Sequence, residues 1–276
     1  NAPAPYRQPV FAELAKHVDL TVLYCESHQP DRLWTDEPAR TAVAHHHLPR
    51  RTVPLPGASL SLNPGLGRLL RQTHFDLAIA GENFSHFPAV LTTWRLARQK
   101  GKPFVLWSEA IDTPFAAGHF VSNFYRRWLY GRSAAFLAYS KAATQFLLSR
   151  GAAPEKIIRG YQVVPSEQLP PPSQTKEGLG LAGCQVVLYV GYFTPRKGLP
   201  TLLHAFQKVA QPADRLVLVG DGPDNAVLRQ IAARDGRILF PGYLEGAQKT
   251  SWYAAADLFV LPTRHDPWGL VVNEAM

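Results

Sequence analysis

The sequence predicts an α/β protein built from two doubly wound, mostly parallel sheets. Three observations carry this expectation. At 276 residues the chain has room for two domains, since single domains cluster around 100–150 residues. Short apolar runs alternate with amphipathic segments almost throughout, the pattern of repeated strand–helix–strand units. The strand runs are continuously apolar, as in strands covered on both faces.

In chain order, the residues through Arg7 read as a loop entering a helix, with no apolar strand before it. A first series of strands is expected at Leu20–Cys25, Leu77–Ala80, Phe104–Trp107, Ala135–Tyr139 and Ile157–Val164. The stretch between Asp31 and Arg71 is rich in Pro, Arg and His and reads as a loop-rich connection ending in a helix near Leu66–Arg71. A second series is expected at Val186–Val190, Leu216–Val219, Ile238–Phe240 and Leu258–Leu261, with Leu202, Leu203, Phe206 and Val209 spaced for one helical face. Pro170, Pro171 and Pro172 lie in a polar stretch from Pro165 to Gly178 and cannot join a packed sheet. The expected division is therefore residues 1–168 and 183–276, joined by a linker at 169–182, as two Rossmann-like domains facing each other across a cleft. Met276 falls inside an unfinished helical run and Asn1 stands where an initiator Met is expected, so truncation at both ends is expected too.

Composition narrows the class further. The chain is 46% hydrophobic and 18% charged, ordinary for a soluble protein, and no apolar run reaches the ~18 residues of a membrane span. A net charge of +8 suits anionic partners without choosing among them. Cys25 and Cys184 form neither a disulfide framework nor a metal-ligand spacing, which suits a reducing cytoplasm.

The residues that carry chemistry lie at the ends of the second-series strands. Gly191 closes one strand, and Arg196, Lys197 and Gly198 precede the next helix. Helix N-termini at the carboxyl edge of such sheets present amides to phosphate, and the two cations would add charge-assisted contacts. By itself a basic pair reads as a solvated loop. Gly220, Asp221, Gly222 and Pro223 are, taken alone, an ordinary tight turn. The third piece decides the matter: a strand ending at Pro262, then Asp266, then Gly269 opening a helix that holds Glu274. Amides of Gly269, Leu270 and Val271 could hold a diphosphate, and two carboxylates suit vicinal hydroxyls.

Over Val186–Met276 these pieces, in this order, resemble the donor domain of the large family four of retaining glycosyltransferases (glycosyl transferases group 1), which have the GT-B fold. The first half resembles the acceptor domain more loosely, through Pro5-Tyr6-Arg7, Gly101-Lys102-Pro103 and Tyr139-Ser140-Lys141. The resemblance implies that Lys197, helped by Arg196, contacts the donor's diphosphate, as do the amides of Gly269, Leu270 and Val271. It implies that Glu274 binds the ribose, Asp266 meets the sugar, and Gly191 and the loop Gly242, Tyr243 and Leu244 line the nucleotide. Glu109 stands where many relatives carry a His, and would orient the acceptor hydroxyl or stabilise positive charge; a loop Glu paired with a cation is the competing reading. Two departures are visible: Tyr192 where relatives often have Arg, for which Arg196 would substitute, and Asp266 where they have Glu.

The expected function is retaining transfer of a sugar from a UDP- or GDP-sugar to a hydroxyl of a glycan or lipid-linked acceptor, without metal or resident cofactor, in polysaccharide, lipopolysaccharide or glycolipid synthesis. A non-catalytic nucleotide-sugar binding protein and a GT-B sugar-nucleotide epimerase are the alternatives. His45, His46 and His47 are adjacent, lack acidic or Cys companions, and read as a solvated loop, not a metal site. The stripe Phe120, Val121, Phe124, Tyr125, Trp128 and Leu129, flanked by Arg126, Arg127 and Arg132, could touch the inner face of a membrane as a peripheral contact. Such stripes more often pack on their own sheet. No nucleic-acid recognition motif is present, and no Gly-x-Gly-x-x-Gly follows a strand.

Overall fold

The computed structural model describes residues 3–26, 43–55, 58–111, 120–160, 169–266 and 268–276. The chain falls into two compact units, one with the described residues up to 160 and one with those from 169.

The first unit runs α1 (Gln8–Leu14), β1 (Thr21–Tyr24), β2 (Ala44–His47), β3 (Arg51–Leu55), β4 (Ala58–Leu62), α2 (Leu66–Gln72), β5 (Ala78–Gly81), α3 (Phe87–Gln99), β6 (Phe104–Ser108), α4 (Phe120–Tyr130), β7 (Ala135–Ala138), α5 (Lys141–Ser149) and β8 (Ile157–Arg159). Strands β5, β6, β7 and β8 form one parallel sheet in that order. Phe104, Leu106 and Phe136 bury their side chains against Val90 and Ala97 of α3, Leu129 and Tyr130 of α4, and Leu147 of α5. Ser140 starts α5 by accepting the Ala143 N–H at 3.0 Å, the usual work of a Ser N-cap.

Two expectations need correction here. His45, His46 and His47 are not a loop; they form β2, paired in parallel with β1. The His47 ring lies 5.1 Å from that of Tyr24. A two-stranded ladder is held by its backbone bonds, so these residues make a strand without an apolar run. The loop-rich connection likewise contains the antiparallel hairpin β3–β4, while its residues 31–42 lie outside the described ones, as does the strand expected beyond Gly160. Helix α4 packs on its own sheet through Leu129, Tyr130, Tyr125 and Trp128. Among the stripe's described side chains Phe124 stands apart, 68% exposed; those of Phe120 and Val121 lie outside the described ones. No helix among the described residues is long and apolar enough to cross a membrane.

Glu26, just past β1, is buried between Arg50 (2.7 Å) and His86 (3.2 Å). Burial pushes its pKa up, but the His86 hydrogen bond and the charges of His86 and Arg50 outweigh that and hold it below the ordinary carboxylate value. Its contribution to stability is thus present above the unfolded value of about 4.3 and lost as pH falls through the lower folded value. We expect Glu26→Gln to flatten the acid limb of a plot of urea midpoint against pH; an unchanged limb would count against this pairing.

The second unit runs β9 (Gln185–Val190), α6 (Leu199–Val209), β10 (Asp214–Val219), α7 (Asn225–Ala232), β11 (Ile238–Gly242), α8 (Gly246–Ala255), β12 (Leu258–Phe259) and α9 (Leu270–Ala275). Its parallel sheet has the order β11-β10-β9-β12. Tyr189, Leu216 and Leu218 face one cluster with Leu203, Phe206 and Leu228. Val186, Leu188, Val190, Val217 and Val219 face another with Leu181 and Ala255. Both faces are covered, which is why these strands read as unbroken apolar runs. Val209, expected on the buried face of α6, is 74% exposed; it is the last helical residue and lies beyond the core. The residues expected as a linker are tied to this unit. Ser251 Oγ accepts the N–H groups of Ser173 (2.8 Å) and Gln174 (3.0 Å). Lys176 pairs with Asp257 at 2.6 Å, and Leu181 is 2% exposed in the core.

Candidate functional site

The strand order of the second unit singles out one place. The chain adds β10 and β11 on one side of β9, then crosses to place β12 on the other. The loops leaving β9 and β12 therefore diverge at a topological switch point, where open α/β sheets take ligands. Here those loops are laced together. The Arg196 carbonyl accepts from the Arg264 N–H at 2.9 Å and from Thr263 Oγ1 at 3.2 Å. Gly198, at φ 69°, permits this closeness, because a Cβ there would stand 2.4 Å from the Pro262 carbonyl oxygen.

The lacing brings Arg196, Lys197 and Asp266 together. Lys197 is 7% exposed and its ammonium donates to Asp266 Oδ2. Arg196 Nη1 donates to the His265 carbonyl at 3.1 Å and lies 3.8 Å from Asp266 Oδ2. The Trp268 N–H approaches Asp266 Oδ1 at 3.4 Å. Burial alone would push the Asp266 pKa up; the Lys197 hydrogen bond and charge, then Arg196 and the Trp268 amide, bring it below the ordinary value. The carboxylate is thus held ionised between two cations.

Glu274, in α9, is held by different partners. Lys249 Nζ reaches Oε1 at 2.9 Å and Tyr253 donates to Oε2 at 2.8 Å. Burial, then the charge and hydrogen bond of Glu274, push the Tyr253 phenol above its ordinary range, so it stays a donor. Gly269 is the N-cap of α9, so the N–H groups of Leu270 and Val271 precede its first helical bond. Val271 also packs into the core with Tyr253 and Leu244. Leu244 is therefore spent on packing, whereas Tyr243 is 40% exposed and donates to Glu245. Gly191 directly follows β9 and Gly242 ends β11, and each bonds to β10 or the residue after it: Gly191 N–H to the Val219 carbonyl (3.0 Å), Gly220 N–H to the Gly242 carbonyl (2.8 Å). Tyr192 faces its carbonyl to the Tyr189 hydroxyl at 3.3 Å.

Glu109 belongs to the first unit. It is half exposed, with Oε2 3.6 Å from Arg7 Nη2. The sequence reading missed a buried neighbour, Glu82 at the end of β5. Glu82 accepts from Ser108, from Arg126 Nε at 2.8 Å and from Tyr130 at 2.8 Å. Nothing local marks a single Glu after a strand, and its partners stand 26 to 48 residues away. Lys249 and Tyr253 were also missed, although their i, i+4 spacing on α8 sets them on one helical side.

Residues 11–165 match the family described as Glycosyltransferase Family 4, and residues 184–276 match Glycosyl transferases group 1. The lipopolysaccharide core biosynthesis glycosyltransferase LpsE of Rhizobium meliloti is 34% identical over 97 residues, 34% of this chain and 27% of that protein. The sulfoquinovosyl transferase SQD2 of Arabidopsis thaliana is 30% identical over 156 residues, 54% of this chain and 30% of that one. The chain thus spans under a third of the length of these curated relatives. Among solved structures, Anabaena HepE in complex with UDP and glucose superimposes with a TM-score of 0.63 at 20% identity, over 84% of this chain and 65% of that one. Sucrose-phosphate synthase of Thermosynechococcus elongatus gives 0.68 at 18% identity, over 98% and 71%. At these identities the structural likeness speaks to fold.

Proposed function

Because the chain belongs to glycosyltransferase family 4, we propose that it transfers a sugar, with retention of configuration, from a nucleoside-diphosphate sugar to an acceptor hydroxyl. The observation that carries this reading is the Lys197–Asp266 pair at the switch point of the second sheet, with Arg196 beside it. A buried ammonium next to an ionised carboxylate offers both charges such a donor needs. The cations face the diphosphate, and Asp266 accepts from sugar hydroxyls. Glu274, its orientation set by Lys249 and Tyr253, accepts from the ribose hydroxyls. HepE, similar in fold, is in complex with UDP and glucose, which makes UDP the first nucleotide to test.

Catalysis in this reading is positioning and electrostatic stabilisation. The bond from the anomeric carbon to the diphosphate oxygen breaks, and charge gathers on the leaving phosphate, where Lys197 and Arg196 neutralise it. The acceptor oxygen bonds to the same face of the anomeric carbon, and its proton passes to the leaving phosphate oxygen. No protein base is required. The reaction class matches LpsE, a glycosyltransferase of lipopolysaccharide core synthesis, so a glycan or glycolipid acceptor is the first to test.

The test is calorimetric titration of UDP, GDP and ADP into the wild type and Glu274→Ala. One nucleotide should bind, and the variant should bind it roughly 10–100-fold more weakly, the loss expected for hydrogen bonds to a charged group. Equal binding by both proteins would remove Glu274 from the site. The anomeric configuration of the product, read by NMR, decides retention, and donor binding without transfer or hydrolysis would favour a binding protein.

A further inference from the structure

Arg7 occupies an unusual position in the first unit. Its guanidinium lies 5.4 Å from the Trp107 ring and 5.8 Å from those of Tyr6 and Tyr139. The side chain is only 12% exposed. Aromatic faces hold a guanidinium plane by cation–π attraction and leave its edge, where the donors are, for something else. Among the described residues that edge is poorly met. Nε is buried with no acceptor. The nearby carboxylate of Glu109 stands 3.6 Å from Nη2, beyond hydrogen-bond length, and half of its side chain is exposed. Tyr139 supplies no anion: burial pushes its phenol above the ordinary range despite the charge of Arg7.

The next residue has an unmet acceptor in turn. Gln8 gives its Nε2 to Tyr24 Oη at 3.2 Å, while its Oε1 is buried without a donor among the described residues. Location matters as much as chemistry. Trp107 lies near the end of β6, and Tyr139 directly follows β7, its neighbour in the sheet. Arg7 therefore sits over the carboxyl edge of the first sheet, the edge at which α/β folds take ligands. A cation this buried is costly unless an oxyanion meets it.

We propose that Arg7 is an oxyanion-binding residue that takes the phosphate or carboxylate of the acceptor. This rests on the transferase reading only for the word acceptor; the anion site itself stands on Arg7 and its surroundings. The oxyanion would lie across the guanidinium edge in bidentate fashion, and Gln8 Oε1 would accept from a hydroxyl or protonated phosphate oxygen beside it. Glu109 is then a competitor, its charge opposing the ligand's.

The experiment is calorimetry with three probes: inorganic phosphate, glucuronate, and glucose as the neutral control. Phosphate or glucuronate should bind the wild type, and glucose should not. Arg7→Gln should weaken that binding at least 10-fold, Arg7→Lys should restore part of it, and Glu109→Gln should tighten it. The part of the binding that Arg7→Gln removes should persist in Lys197→Ala, which separates this site from the second unit's cations. Binding by phosphate alone supports a phosphorylated acceptor, and by glucuronate alone an acidic sugar. A circular dichroism spectrum and urea midpoint matching those of the wild type show that Arg7→Gln is folded. Absence of UDP binding in the wild type would sink the donor reading and leave Arg7 standing. Failure of both anions to bind, or binding indifferent to Arg7→Gln, would overturn the proposal.

Discussion

Lys197→Ala is expected to slow sugar transfer about 10²–10³-fold, the loss typical when one preorganised charge-stabilising group is removed. The expectation follows from how little else can replace it. Lys197 is 7% exposed, so water does not screen its charge as it would a surface lysine's. The substitution also leaves Asp266 with Arg196 at 3.8 Å and the Trp268 N–H at 3.4 Å, and its pKa should climb back toward the ordinary value. Arg196→Ala is expected to cost less, about 10-fold, because Arg196 is 40% exposed and Nη1 is engaged by the His265 carbonyl. Release of nucleoside diphosphate from the donor measures both. Equal effects of the two variants would mean that the buried lysine holds the loops together and does not serve the diphosphate.

The second large effect concerns stability. Where β9, β10 and β11 end, the backbones close on one another, and a Cβ on Gly220 (φ 140°) would stand 2.0 Å from the Gly191 carbonyl oxygen. The obstacle is backbone at the end of a buried strand, so it cannot swing aside. Gly220→Ala should therefore destabilise the second unit by about 3–5 kcal/mol. Gly65→Ala is the matched comparison: φ is 92° there, but nothing lies within 4 Å of the added methyl. It should cost only the left-handed backbone penalty, about 1–2 kcal/mol. Urea midpoints of the two variants check this, and similar losses would show that conformation, and not the close approach, is what Gly220 provides.

The parts of the fold legible in the sequence share one physical origin. Strands such as β9 and β10 have both faces covered, so every residue is apolar and the run announces itself. Strands β2, β3 and β4 lack that cover: β2 carries His45, His46 and His47, and β3 carries Arg51 and Pro54. Pairing of distant backbones makes them strands, and no local pattern records that pairing. The candidate site divides the same way. Lys197 and Asp266 were legible because each follows a recognisable strand. Lys249 and Tyr253, which aim Glu274, and the Glu82–Arg126–Tyr130 cluster were not, because they are defined by contacts across the tertiary fold.

The attachment of residues 173–181 to the second unit changes where that unit can be cut out for separate study. Excision at 183, where the apolar runs begin, would strip Leu181 from the core and leave Ser251 and Asp257 without Ser173, Gln174 and Lys176. A fragment starting at Leu169 keeps that belt. The proline-rich stretch is thus a flank of the second folding unit, and any hybrid protein exchanging this half for another should carry it along.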